Sequence, residues 1–279
     1  GICAIIIVIF HWGHFLYIDS DFNNELLPLH HYLKWIYSDG WRVVNFFFCL
    51  SGFIFFSLYK DQIVNNKISL KYFCIIRLSR LYPLHFLTML SSLLLNWIYY
   101  NINLNDFCYV FNDFKHFLLN LFLANSIGIE NGFSYNIPAW SISVEIVLYM
   151  LFFLLCRYRL TNSIVLILII SYSYFSNFEY GAITRGVESF FIGGITYKVF
   201  NRIKCIGSMY IDYSILVLFF TILIFLPINY FYQTTYNLYS FMLKELSVDP
   251  FEKDVIGGGI LVITQHSFEF IVFPFTILT

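Results

Sequence analysis

A carboxylate sits inside an unbroken apolar run. Residues 138–156 read PAWSISVEIVLYMLFFLLC, and Glu145 falls within that run. At about 1.5 Å per residue the run is long enough to cross a hydrocarbon layer of about 30 Å. A charge held there costs several kcal/mol unless it is paired or faces a wet cavity. Further apolar runs occupy residues 1–18, 41–59, 81–100, 163–178, 186–200, 213–230 and 255–279. Only 12% of the 279 residues are charged, against roughly 25% in a soluble domain, and the mean hydropathy is +0.72. A soluble chain of this size cannot hide that much apolar surface, so the solvent implied is lipid. The net charge of -1 provides no basic face for nucleic acid.

The basic residues set the expected orientation. Residues 60–80 read as a loop with Lys60, Lys67, Lys71, Arg77 and Arg80 against one acid, Asp61. This loop is placed in the cytoplasm. The loop at 19–40, with Asp19, Asp21, Glu25 and Asp39, is placed outside. Arg157, Arg159, Arg202 and Lys204 each follow an apolar run and belong inside. Keeping Arg157 and Arg159 inside requires that residues 114–127 enter and leave on one side. A full crossing of 114–127 is the alternative, and puts both arginines outside. The predicted fold class is therefore an all-α integral membrane protein. It is a bundle of about eight transmembrane helices plus a re-entrant or interfacial segment. It forms a single domain over residues 1–279 that is expected to be incomplete at both ends, since the chain starts without Met and both termini fall in or beside apolar runs.

Within this frame a few residues can carry chemistry. His11 interrupts the first run, and a neutral imidazole there can take a proton from a hydroxyl while a carboxylate orients it. Glu145 enters from the opposite side of the bilayer at a compatible depth, so a His11–Glu145 pair is expected to be catalytic. The alternative is that each satisfies a structural hydrogen bond between helices. Arg77 and Arg80, three residues apart, share one helix face and can clamp a phosphorylated ligand; plain interfacial anchoring is the alternative. His14 and Asp19 have an H-x-x-x-x-D spacing used by glycerolipid acyltransferases, but no glycine-rich, arginine-bearing loop follows. His30 and His31 read as surface residues, and His85, His116 and His266 as isolated. No histidine or cysteine pair has metal-ligand spacing, and the six scattered cysteines form no disulfide framework. Gly193 and Gly194 most simply allow close helix approach.

Several separated motifs together resemble the acyltransferase-3 family, the multi-span bacterial membrane enzymes that O-acylate surface glycans. AIIIVIFHWGHF at residues 4–15 is similar to the family's first span with its histidine. VNFFFCLSGF at 44–53 resembles its G-V-D-x-F-F-x-L-S-G-F stretch, with Asn45 in place of the aspartate. RLSRLYP at 77–83 matches R-x-x-R-x-Y-P, WSISVE at 140–145 matches W-S-L-S-V-E, and ESFFIGG at 188–194 resembles P-E-F-L-x-G. An aromatic, Tyr149, follows where the family often has one. The second glutamate that often follows W-S-L-S-V-E is Ile146 here. The family's arginine eleven residues before the first-span histidine would fall one residue before Gly1.

The resemblance implies transfer of an acyl group, usually acetyl, from cytoplasmic acyl-CoA to a sugar hydroxyl at the outer face. His11 would act as base or transient acyl carrier, and Glu145 would orient it or the acceptor. Arg77 and Arg80 would hold the CoA phosphates. Trp140, Ser141, Ser143, Asn45 and Ser51 would shape or support the acceptor site. Acetyl-CoA is then a donor substrate, with no resident cofactor or metal. The partners are acyl-CoA, a glycan or lipid-linked oligosaccharide, and the lipid bilayer, in a bacterial inner membrane. A transporter or a non-catalytic sensor on the same fold are the other classes, although no internal repeat of the kind transporters often show is visible.

Overall fold

The computed structural model describes residues 1–13, 26–104, 111–206 and 273–278. The expected run at 213–230 lies outside these residues, as do residues 255–272 of the run at 255–279 and His14, Asp19 and His266. Among the described residues every regular element is helical. They are α1 (Ile2–Trp12), α2 (His30–Asp39), α3 (Arg42–Leu58), α4 (Lys60–Val64), α5 (Leu70–Asn103), α6 (Phe114–Leu121), α7 (Trp140–Arg157), α8 (Ser163–Phe175), α9 (Asn177–Ile206) and α10 (Phe273–Leu278). Two helices among the described residues, Leu70–Asn103 and Ile137–Arg157, are long and apolar enough to cross a bilayer. The pair α2 and α3, bent by 52°, adds a third if taken as one broken span.

Two segments expected as loops are helical. The polar stretch 19–40 contains α2. The basic stretch 60–80 contains α4 and the first three turns of α5, which leaves only residues 65–69 irregular. The physical reason for the second is a cap. Ser69 has extended backbone, and its Oγ accepts from the Tyr72 N–H at 3.3 Å, satisfying one of the orphan donors of a helix start. The helix therefore begins eleven residues before the apolar run. Arg77 and Arg80 lie within it rather than in a loop.

Aromatic contacts fix the directions of the helices. Phe48 of α3 meets Trp140 at the start of α7, and Phe55 and Phe56 meet Phe152 further along. The two helices run parallel. Arg77 of α5 lies against Tyr149, whereas Thr88 accepts a hydrogen bond from Asn136, ahead of α7. Helix α5 is thus antiparallel to both. The later part of α5 and the start of α7 therefore lie toward the same end of the bundle. Helix α6 has eight residues, about 12 Å, far short of the hydrocarbon thickness.

Small residues set the closeness of the central packing. A Cβ on Gly52 of α3 would overlap the carbonyl oxygen of Phe190 in α9, and one on Gly193 would overlap that of Cys49. The expectation for Gly193 is met, and Gly52 is its counterpart on α3. Close backbone approach of this kind is how helices associate where lipid supplies no hydrophobic drive. Around this contact Phe48, Phe56, Phe152, Phe190 and Phe191 are almost fully buried.

Candidate active site

Four helices, α1, α3, α5 and α7, line an open-mouthed cavity of about 430 Å³. On α3 the lining runs from Val44 to Phe55, about 16 Å of helix, or half the hydrocarbon depth. Seven of the nine residues singled out in the sequence line it: His11, Ser51, Arg77, Arg80, Trp140, Ser141 and Glu145. The other two do not. Asn45 and Ser143 are each fully buried outside the lining.

Helical period explains the division within WSISVE. Ser141, Glu145 and Tyr149 are spaced i, i+4, i+8 and form one stripe toward the cavity. Ser143 is two residues from Ser141, about 200° around the helix. It faces the re-entrant segment, where its Oγ accepts from the Asn125 N–H at 3.0 Å and donates to Asn125 Oδ1. One serine of the motif lines the cavity and the other anchors a loop.

Glu145 accepts a hydrogen bond from Tyr149 Oη on its Oε2 at 2.9 Å. Tyr149 is itself 7% exposed and stacks on Phe55, with ring centroids 4.7 Å apart and planes 17° off parallel. Arg77 packs into the same cluster. Its Cζ lies 4.3 Å from the Phe55 centroid, 4.5 Å from Tyr59, 5.6 Å from Tyr149 and 5.8 Å from Phe73. The guanidinium is buried, and its Nε has no hydrogen-bond partner among the described residues. Arg80, one turn on, is exposed and borders the same cavity. The pair does share a face, but only Arg80 is solvent-accessible. The cage around Arg77 escapes sequence reading because its rings come from three helices.

His11 lies in the last turn of α1, with Ile7 one turn before it also lining the cavity. The end of α1 meets the start of α3, where Phe10 packs on Gly40. The cavity therefore has a histidine on one wall near the start of α3 and an arginine on another near its end. Glu145 lies between them along the bundle axis, one turn from Tyr149 toward the start of α7.

Residues 111–136 close the side of the bundle that carries the start of α7. His116, read as isolated, is buried and paired. Its Nε2 accepts from the Asn131 N–H at 3.2 Å, so its Nδ1 carries the proton and donates to Asp113 Oδ1 at 2.8 Å. Asp113 also caps α6 by accepting from the His116 N–H at 2.9 Å. These two His116 donors hold the Asp113 carboxyl below its usual range, the amide contributing most. Both imidazole nitrogens are thus engaged, and the pair is a structural clasp with no free base. The signal that could have revealed it is an Asp-x-x-His spacing at a helix start. His85 Nε2 donates to the Asn120 carbonyl at 2.8 Å, tying the segment to α5.

The acyltransferase domain model of the acyltransferase-3 family matches residues 1–272. The chain belongs to the acyltransferase-3 family. No curated protein and no solved structure matches it significantly. Family membership makes the chain a membrane-embedded acyltransferase, and the cavity that gathers His11, Arg77, Arg80 and Glu145 is its candidate active site.

Proposed function

We propose that the protein transfers an acetyl group from acetyl-CoA to a sugar hydroxyl of a surface or lipid-linked glycan. The observation that carries this reading is the single cavity shared by a histidine, a carboxylate and an arginine pair, drawn from α1, α7 and α5. The arginine end takes the donor, with Arg80 at the mouth meeting the CoA phosphates and Arg77 fixing the positive field behind it. The histidine end takes the acceptor. His11 accepts the proton of the sugar hydroxyl, the oxygen attacks the thioester carbonyl, the C–S bond breaks, and the CoA sulfur leaves with a proton returned by the imidazolium. Glu145 orients the imidazole and stabilises its charged form. A variant of the same chemistry uses His11 as a transient acyl carrier. Trp140, Ser141 and Ser51 shape the acceptor side, while Asn45 and Ser143 support it from behind.

The same reading orients the protein in a bacterial inner membrane with about eight spans. Lys198 lies within Coulombic reach of Lys60 and Arg202, and its Nζ reaches back to the Thr161 carbonyl, just beyond Arg157 and Arg159. These cations share one end of the bundle, and the charge rule assigns that end to the cytoplasm. The large, charged CoA then stays inside, and only the acyl group passes along the cavity.

The test is mass spectrometry of surface glycan from cells with and without the gene, reading for an added acetyl group. Membranes are assayed in parallel for thioester loss from acetyl-CoA. His11→Ala and Glu145→Gln are expected to abolish both signals. Retention of acetylation by both variants would remove this cavity as the active site.

A further inference from the structure

Glu145 has one hydrogen bond among the described residues, from Tyr149 Oη to its Oε2. Its Oε1 makes none, although the residue lines the cavity. A carboxylate in an apolar wall can swing between rotamers, and a swing of about 1 Å can cost on the order of 100-fold in rate. Here one oxygen is tied down and the other is left for the cavity. What ties it is itself fixed. Tyr149 is stacked on Phe55, and the Arg77 guanidinium lies against both rings. The stack is completed by Tyr59 and Phe73, which are T-shaped to each other at 5.8 Å, with Phe73 also T-shaped to Phe55 at 5.9 Å.

We propose that Tyr149 is a positioning residue for Glu145. Its hydroxyl fixes Oε2 so that Oε1 faces the reacting groups, and Arg77 with its ring cage holds the tyrosine in place. This inference rests on the acyl-transfer reading of the cavity. It also divides the arginine pair: Arg80 is free to meet a donor phosphate, whereas Arg77 belongs to the apparatus that orients the carboxylate.

The experiment uses the full protein in membranes, comparing wild type with Tyr149→Phe, which keeps the ring and removes only the hydroxyl. Expected is a fall in kcat on the order of 10–100-fold, with KM for acetyl-CoA unchanged. Unchanged kcat overturns the proposal. A raised KM with unchanged kcat also overturns it, since Tyr149 would then contact the donor. A second readout needs no activity. Hydrophobic carbodiimide labels membrane-embedded carboxyls, and the rate at Glu145 is followed by peptide mass mapping. Expected is several-fold faster labelling in Tyr149→Phe than in wild type; equal rates overturn the contact. If wild type fails to consume acetyl-CoA, the acyl-transfer reading falls, and the labelling rates alone decide whether Tyr149 holds Glu145.

Discussion

Gly52 and Phe190 meet backbone to backbone where α3 packs on α9. A methyl group on Gly52 has nowhere to go, because the atom it would strike is a carbonyl oxygen rather than a side chain that could rotate away. Gly52→Ala is therefore expected to destabilise by about 1–3 kcal/mol or more, the usual range for overpacking. Gly193→Ala meets the Cys49 carbonyl and should cost a similar amount. The double variant should cost less than the sum, since a helix pair already pushed apart by one methyl accommodates the second more cheaply. Thermal unfolding in detergent, followed by tryptophan fluorescence, measures all three; additive losses would place the two contacts at independent sites.

How far the sequence could be read depended on whether a feature is local. Glu145 in its apolar run, the i, i+3 pair of Arg77 and Arg80 and the glycines at 193 and 194 are each visible within a few residues. The structure places Glu145 and the two glycines on the expected helices, and Arg77 and Arg80 on a helix where the sequence reads as a loop. What was not legible is what surrounds each group. Phe55, Tyr59 and Phe73 carry no signal of their own in a chain that is 22% aromatic, and only the packing of α3, α5 and α7 joins them to Tyr149 as a cage. The same holds for Ser143. The motif suggests two equivalent serines, and a 200° turn of helix separates their neighbours. The start of α5 is hidden because five cations read as a loop, whereas the Ser69 cap begins a helix that carries three of them.

Arg77 is buried with rings for neighbours and has no carboxylate within ion-pair distance among the described residues. Burying a cation without a hydrogen-bonding partner is costly, and an apolar side chain of similar volume is often neutral or stabilising in its place. Arg77→Met is thus expected to melt at or above the wild-type temperature while losing acetyl transfer, a trade between stability and function. Arg80 is exposed, so Arg80→Ala should leave the stability within about 0.5 kcal/mol of wild type and raise the KM for acetyl-CoA. Melting curves and steady-state kinetics on the two variants check this. A large loss of stability in Arg77→Met would mean the ring contacts outweigh the desolvation cost.

The Asp113–His116 clasp gives a pH-dependent prediction whose sign is fixed by its geometry. Asp113 has a folded-state pKa below its ordinary value, so its contribution is fully present above about pH 4 and is lost as pH falls through the lower folded value. The difference in melting temperature between wild type and Asp113→Ala should be constant from neutral pH down to about pH 4 and shrink below it. His116→Ala should cost roughly 1–3 kcal/mol at neutral pH, because it leaves the Asn131 N–H without its partner. Differential scanning fluorimetry across this range reads both effects. A wild-type-to-variant difference that grows in acid would reverse the assignment.

The directions of α3, α5 and α7 lead to a labelling pattern. Because α5 and α7 are antiparallel and α6 is too short to cross, the end of α5, the tip of the re-entrant segment and the start of α7 must share one side of the membrane. Asn101, near the end of α5, and Ile129, in the segment tip, are both exposed. Lys67, between α4 and α5, is exposed at the opposite end of α5. Single cysteines at these three positions, in a background without the native cysteines, are probed in intact cells with a membrane-impermeant maleimide. Asn101→Cys and Ile129→Cys should label from outside, and Lys67→Cys only after the membrane is opened. Labelling of all three in the reverse sense would keep the fold and invert the proposed orientation. Opposite behaviour of Asn101→Cys and Ile129→Cys would mean that residues 114–127 cross the bilayer. That would move Glu145 to the far side from His11 and dissolve the shared cavity on which the proposed chemistry depends.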